Sequence, residues 1–447
     1  EGTSRMVSAW ATGNYTWNDI YLADFSVRFD GSSDFGSKQR WAPFFSGGLG
    51  VNIHNYEFLK GNEIVNKLKV RASYGRTGKA SFPAYAATTM YEALFDEWYA
   101  TGFGAVLKAL GNNNLTWEKT DKFNVGIEMQ FLNRRLTVDA DYYHDKTIDL
   151  VNDVSLSQTS GFSSYKDNMG EVLNQGFELQ VRGEVFRNRD WLVALWGNMA
   201  HNKNKILKIS DSQRAYNQRV KEFYENIVNE EYGRYNSKYG VPISQYEEGQ
   251  SLTSIWAVKS LGIDPTTGKE IFLNRDGSVS DTWNATQEVA VGNTEPKFNG
   301  SIGFNAAYKQ WSLFAAFQYE WGGQEYNQTL VDRVENARIQ YQNVDLRVLT
   351  DRWKQPGDIA QFKDIKNADS ATMPTSRFVQ DKAYLRLSAL TLSYDFNREW
   401  IKKYLGMNML RLEASTRDFI NWNSIRQERG LSYPKSWTVD FSIKAQF

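Results

Sequence analysis

The residues of this 447-residue chain that invite a chemical reading are three histidines, a lysine-bearing glycine loop and two acidic stretches. His54, His144 and His201 lie far apart and make no H-E-x-x-H or similar ligand spacing, so they read as ordinary polar positions. The stretch GIDPTTGK, residues 262–269, approaches a phosphate loop. It has five residues between its glycines rather than four, and Glu270 stands where Ser or Thr would meet a metal, so a Pro-led turn is the simpler reading. In NRDGSVSD, residues 274–281, Asn274, Asp276 and Asp281 could offer oxygens to calcium. The stretch lacks the full acidic ladder and the closing glutamate of a calcium loop, so an Asp-Gly turn competes with the bound ion. Asp139 and Asp141 could be drawn as glycosidase carboxylates, but alternate residues of a strand are more simply a solvated wall. Without cysteine there is no thiolate ligand, cysteine nucleophile or disulfide scaffold. Nothing here argues for an enzyme, and the only cofactor worth weighing is calcium.

The elements that would carry these residues are strands. The last twelve residues, SWTVDFSIKAQF, place Trp437, Val439, Phe441, Ile443, Ala445 and Phe447 on one face of an extended chain and polar residues on the other. The same period recurs in IYLADFSVRFD and KLKVRASYG. Hairpins follow from it: one turns at residues 132–135, another at 188–190 and a third at Lys309 and Gln310. Between hairpins run long polar stretches, near residues 78–120, 146–172, 203–250, 263–296 and 322–382, with an amphipathic helical piece near 216–232. Short turns at one end and long loops at the other, over about fourteen strands, are the layout of a transmembrane antiparallel β-barrel. A β-sandwich rarely joins so many strands by such loops.

Composition agrees. Lys plus Arg and Asp plus Glu both number 52, which gives no electrostatic case for nucleic acid. Aromatic residues make up 15% while mean hydropathy is −0.56. No stretch reaches the roughly 18 apolar residues of a membrane helix, but a barrel alternates lipid-facing and lumen-facing residues and keeps its mean hydropathy low. The opening EGTSRMVSAW lacks the features of a signal peptide, so the chain reads as mature or as the later part of a longer protein.

Several segments, in order along almost the whole chain, resemble the SusC/RagA family of TonB-dependent outer-membrane transporters of Bacteroidetes. They are IYLADFSVRFDGSSDFGSKQRWAPFFSGGLGVNI; the hairpin from Leu115, Trp117 and Glu118 to Tyr142, Tyr143 and Thr147; TSGFSSYKDNMGEVLNQGFEL with Asn168, Gly170, Asn174, Gly176 and Glu178; GIDPTTGKEIF; and YLRLSALTLSYDF before the terminal strand. The resemblance implies that residues 1–447 are the carboxy-terminal part of a barrel of about twenty-two strands, without the plug and amino-terminal domains. It implies outer-membrane, TonB-dependent import of oligosaccharides or oligopeptides, with TonB reached through the plug, a SusD-like surface lipoprotein as lid, and a pair of barrel-lid units. It also implies that the terminal strand, through Trp437, Phe441 and Phe447, is read by the outer-membrane insertion machinery.

Substrate contacts are expected from lumen-facing polar residues and from the loop aromatics Trp98, Tyr99, Trp256 and Trp283, whose faces suit sugars and apolar peptide side chains alike. A complete passive porin of about fourteen strands is the alternative, and it would conduct without inner-membrane energy.

Overall fold

Period-two alternation builds long antiparallel strands, and the structure, a computed structural model, shows them over most of the chain. It describes residues 4–35, 40–79, 88–99, 102–109, 111–112, 115–155, 164–168, 170–229, 240–337, 339, 344–367, 372–396, 398–425 and 437–447. Fourteen strands make one sheet: β1 (Met6–Trp17), β2 (Tyr21–Ser32), β3 (Trp41–Asn52), β4 (Val65–Lys79), β5 (Glu118–Phe131), β6 (Leu136–Ile148), β7 (Glu171–Arg187), β8 (Trp191–Lys208), β9 (Phe298–Tyr308), β10 (Trp311–Tyr326), β11 (Val379–Asp395), β12 (Met409–Thr416), β13 (Asn421–Asn423) and β14 (Val439–Gln446). Neighbours in sequence are neighbours in the sheet, except that β12 and the short β13 both pair with β11, one after the other along its length. The sheet is a partial barrel: it does not close, and β1 and β14 are its two edges.

The faces divide as the alternation requires. Phe25, Leu49, Leu195, Ile302 and Phe441 stand exposed on the outer face, where in water they would form an apolar patch far larger than a water-soluble protein tolerates. Aromatic rings gather at both ends of this band. At the turn end Trp17 stacks on Tyr21, Trp191 lies 4.4 Å from Tyr308 and Trp311 4.8 Å from Tyr394, between ring centroids. At the loop end Phe29 stacks on Trp41, and Phe177, His201, Phe298 and Trp321 follow one another around the rim. Trp311 and Trp321 sit ten residues apart on β10, about 33 Å along the strand, which a tilt of about 40° reduces to about 25 Å. That is the height of a lipid-facing band.

The connections alternate in length, with two departures from uniformly short turns at the turn end. Residues 53–64 include a short 3₁₀ segment, and residues 396–408 carry the helix Arg398–Leu405. At the loop end, the stretches near 203–250 and 263–296 are a single insertion, residues 209–297, between β8 and β9. Strand-like pieces inside it, Ser254–Ala257, Lys259–Ile263, Glu270–Leu273 and Val289–Asn293, pair with one another and not with the barrel. The helical piece within it runs from Asp211 to Asn229. Its Val220 and Tyr224 are buried against Phe272, Trp283 and Ala285, which explains the amphipathic pattern.

Candidate functional site: a polar wall beneath a two-part roof

The inner face of β4 to β7 is a wall of charge. Register places Arg71 on β4, Gly126 on β5 and Asp141 on β6 side by side. Arg71 reaches across the middle strand to grip Asp141 with both carboxylate oxygens, at 2.7 and 2.9 Å. Only glycine leaves room: a Cβ at residue 126 would stand 2.3 Å from the Asp141 oxygen and 2.9 Å from the Arg71 guanidinium carbon. Glu128 collects three cations, with Lys67 at 2.6 Å, Arg71 at 3.3 Å and Lys69 at 3.7 Å. Asp139 lies opposite Glu128 and Gln180, and Glu178 opposite Asp141, so the wall offers carboxylates beyond those its cations occupy.

A second polar network climbs from the wall to the loop end. The Tyr143 hydroxyl donates to Asn202 at 2.9 Å, and Asn202 donates to Glu295. Asn204 donates through its backbone to Glu295 at 3.2 Å and accepts from the Ser251 hydroxyl and the Leu252 backbone. The feet of the 209–297 insertion are thereby tied to β6 and β8. Beside them Asn168 accepts from the Thr116 backbone and donates to the carbonyls of Thr116 and Asp149. This clamp holds the approach to β5, where Leu115 and Trp117 are buried and Phe35 stacks on Trp117.

Above the wall the 209–297 insertion joins a second one, residues 327–378, in a roof. Arg377 is the joint: it binds Glu270 of the first insertion at 2.9 Å and Glu335 of the second at 2.6 Å, and all three are almost fully buried. Burial opposes the Arg377 charge, but the two carboxylates outweigh it and hold its pKa above the ordinary value. Arg352 donates to the carbonyls of Lys363 and Glu335, and Lys363 to Thr372; burial lowers the pKa of both cations. The GIDPTTGK stretch is an aspartate-capped turn, with Asp264 accepting from Thr266 and Thr267. It serves as a second joint, because Trp353 and Gly357 both donate to the Pro265 carbonyl. Gly268 is required twice, by a φ of +69° and by the Trp353 ring 2.5 Å from where its Cβ would be.

The candidate residues fall in different places. Trp256 and Trp283 are buried within the roof, and the Trp283 indole donates to the Pro374 carbonyl of the second insertion. Trp98 and Tyr99 end a strand paired with residues 102–109, and their side chains lie outside the described residues. In the 274–281 turn, Asp276 accepts from the backbone and hydroxyl of Ser278, while the Asn274 amide donates to the same hydroxyl. Asp281 accepts from Thr282, and no group of three or more His, Cys, Asp or Glu among the described residues is placed to hold a metal. His54 accepts from the Leu68 backbone, His144 lies on β6, and His201 meets the Lys297 carbonyl, so the histidines stay apart. Trp437, Phe441 and Phe447 are exposed along the β14 edge.

Sequence reasoning missed Arg377, Glu335 and Glu270, because the pairs are separated by 42 and 107 residues and nothing local marks them. It also missed the Arg71, Gly126 and Asp141 bridge, although a glycine midway along an apolar-alternating strand was the available signal.

Residues 1–415 match the family model for the TonB dependent receptor-like β-barrel. TonB-dependent receptor P3 of Formosa agariphila is 27% identical over 426 residues, covering 94% of this chain and 41% of that protein. TonB-dependent receptor SusC of Bacteroides thetaiotaomicron is 33% identical over 217 residues, 46% of this chain and 21% of that protein. Among solved structures, the RagAB peptide transporter superposes with a TM-score of 0.80 over 99% of this chain and 48% of the other, at 23% identity, a likeness of fold. The chain spans about half the length of the curated relatives that it matches along most of its own length.

Proposed function

The chain belongs to the TonB-dependent receptor-like β-barrel family, and on that premise we propose that it forms the carboxy-terminal part of an energised outer-membrane importer of large nutrients. The family match over residues 1–415 carries this reading. The fold supports it: a lipid-facing band, a charged inner wall and a roof of loops divide the work of anchoring, lining and covering a passage. A complete fourteen-stranded porin would pair β1 with β14, and those strands are unpaired with each other.

In this reading the remaining strands and a plug come from sequence outside this chain, TonB acts through that plug, and a SusD-like lipoprotein caps the roof. The substrate is an oligosaccharide or oligopeptide. The unoccupied carboxylates of the wall, together with Trp98 and Tyr99, are its first contacts; Trp256 and Trp283 could join only if the roof opened. Trp437, Phe441 and Phe447 act earlier, as the signal read during membrane insertion. The TonB-dependent receptors among its relatives support the dependence on TonB, and the name of the RagAB peptide transporter supports the peptide as a substrate class.

The test is uptake of labelled oligosaccharides and oligopeptides by cells expressing the intact protein, with and without a collapsed proton gradient. Uptake should stop on collapse; uptake that continues would replace the importer with a passive pore. Replacing Trp98 with Ala should weaken substrate binding, and unchanged affinity would remove it from the site.

A further inference from the structure

Outside the passage, the outer face of β8 carries lysines at a depth where a membrane changes chemistry. Phe177 pairs with His201 at the loop-end aromatic ring. Lys203 and Lys205 continue the same outward face and are exposed, whereas the intervening Asn204 and the following Ile206 turn inward. Two and four residues beyond the ring correspond to about 5 and 10 Å along the membrane normal for a tilted strand. The polar headgroup region, about 5 to 8 Å thick on each side, takes in Lys203 at that depth, and the long side chain of Lys205 reaches back into it from just beyond.

Two neighbouring cations on this face are already engaged. Arg76 grips Asp121 at 2.6 and 2.8 Å, and Lys146 holds Glu171 at 2.8 Å. Lys203 and Lys205 face Gln175 and Leu173 across the sheet, which offer no charge. Lys297, just before β9, is also exposed, and it shares with Lys203 and His201 a depression of about 800 Å³ bordered by Trp321. The other charges there are spoken for: Lys382 lies 3.2 Å from Glu325, Glu295 accepts from Asn202 and Asn204, and Asp381 accepts from Gln324. Among the described residues, Lys203, Lys205 and Lys297 make no ion pair.

We propose that Lys203, Lys205 and Lys297 form a lipid-facing site for the phosphate groups of outer-leaflet headgroups. An ammonium group is a point charge suited to phosphate. The aromatic ring below fixes the depth at which acyl chains give way to headgroups, so a phosphate carried on a lipid arrives at the height of the lysines. The site depends on the outer-membrane location and not on what the barrel transports, so failure of the importer reading leaves it standing.

The test uses the intact protein in detergent, titrated with bisphosphorylated lipid A and followed by native mass spectrometry. Lys203→Gln, Lys205→Gln and Lys297→Gln should each weaken binding about fivefold, and together about a hundredfold. Binding should also weaken as salt is raised. Arg76→Gln, which removes a cation already committed to Asp121, should have a much smaller effect. Heat-modifiable migration on a gel establishes that each variant is a folded barrel. Unchanged lipid binding by the folded triple variant would overturn the proposal, as would displacement of the lipid by millimolar inorganic phosphate, which would mark a site for free phosphate.

Discussion

Replacing Arg377 with methionine would leave two carboxylates in the roof without their cation. Glu335 is 0% exposed and Glu270 9% in their pairs with Arg377, so neither can recover its charge by turning to water. Removing one partner of such a buried pair costs about 3 to 5 kcal/mol. The barrel sheet does not depend on this joint, so the cost should appear as local opening of the two insertions and not as global unfolding. At about 1.4 kcal/mol per tenfold, amide exchange in residues 254–273, 330–337 and 344–367 should quicken by between about 10² and 4 × 10³, with β5 to β8 unchanged. Glu270→Gln should do less, because Arg377 keeps Glu335, and the pair of substitutions measures the coupling directly. Less than a tenfold change in both insertions, or equal acceleration in the barrel strands, would refute the idea that this charge joins the roof.

On the wall, Gly126→Val should expel the Arg71 and Asp141 bridge and destabilise the barrel by roughly 1 to 3 kcal/mol; an unchanged urea midpoint would show that the strands can absorb the side chain. Leu195→Arg, on the outer face, should cost about 2 to 4 kcal/mol in refolding into lipid, while Gln180→Arg, facing the lumen, should cost little; equal costs would reverse the assignment of faces. Burial pushes the Glu288 carboxyl up to about 8 from an ordinary 4.5, against the opposing hydrogen bond from Gln245 and the charges of Lys221 and Arg275. The folded roof therefore holds a proton that the unfolded chain has released. Its contribution is full below pH 4.5 and is lost as pH rises towards 8, and Glu288→Gln should remove that dependence from local exchange rates. The chain has no cysteine, so engineered disulfides can report on motion: one joining residues 258 and 375 should leave uptake intact, and one joining 204 and 251 should reduce it.

Period-two alternation made the barrel strands legible, because one residue in two must satisfy lipid and the next must satisfy water. The turns at 132–135, 188–190 and 309–310 could be found for the same reason: the alternation breaks there and resumes, in register across the first and third and after a bulge at Val185 beside the second. The insertions obey no such rule. Trp256 and Trp283 carry the residue type of a binding platform, yet they are buried in the roof. An indole that stacks on a sugar and one that fills a core are chemically identical, and only the fold tells them apart. The GIDPTTGK stretch was legible as a turn through its proline and glycine, but its role as a joint depends on Trp353, 88 residues away. Charge gave least warning, because Arg377, Glu270 and Glu335 look like surface residues until three distant segments meet.

The two sets of attachments in the roof differ in kind, and that difference decides where it can open. Insertion meets insertion through buried charge and through a shared apolar core, in which Met373 of the second packs with Val220, Tyr224, Phe272 and Trp283 of the first. Separating them would expose that surface and strand Glu270, at a cost of several kcal/mol. Roof meets wall through neutral or singly charged hydrogen bonds around Asn202, Asn204, Ser251 and Glu295, and through Asn327, which donates to Gln380. Each is worth about 0.5 to 1.5 kcal/mol, or somewhat more where a carboxylate accepts, and most of that returns when water takes the partner's place. Opening at the wall is therefore cheaper than opening between the insertions, and the roof should move as one body about its feet. This ordering is why a disulfide between residues 258 and 375 should be silent while one between 204 and 251 should not.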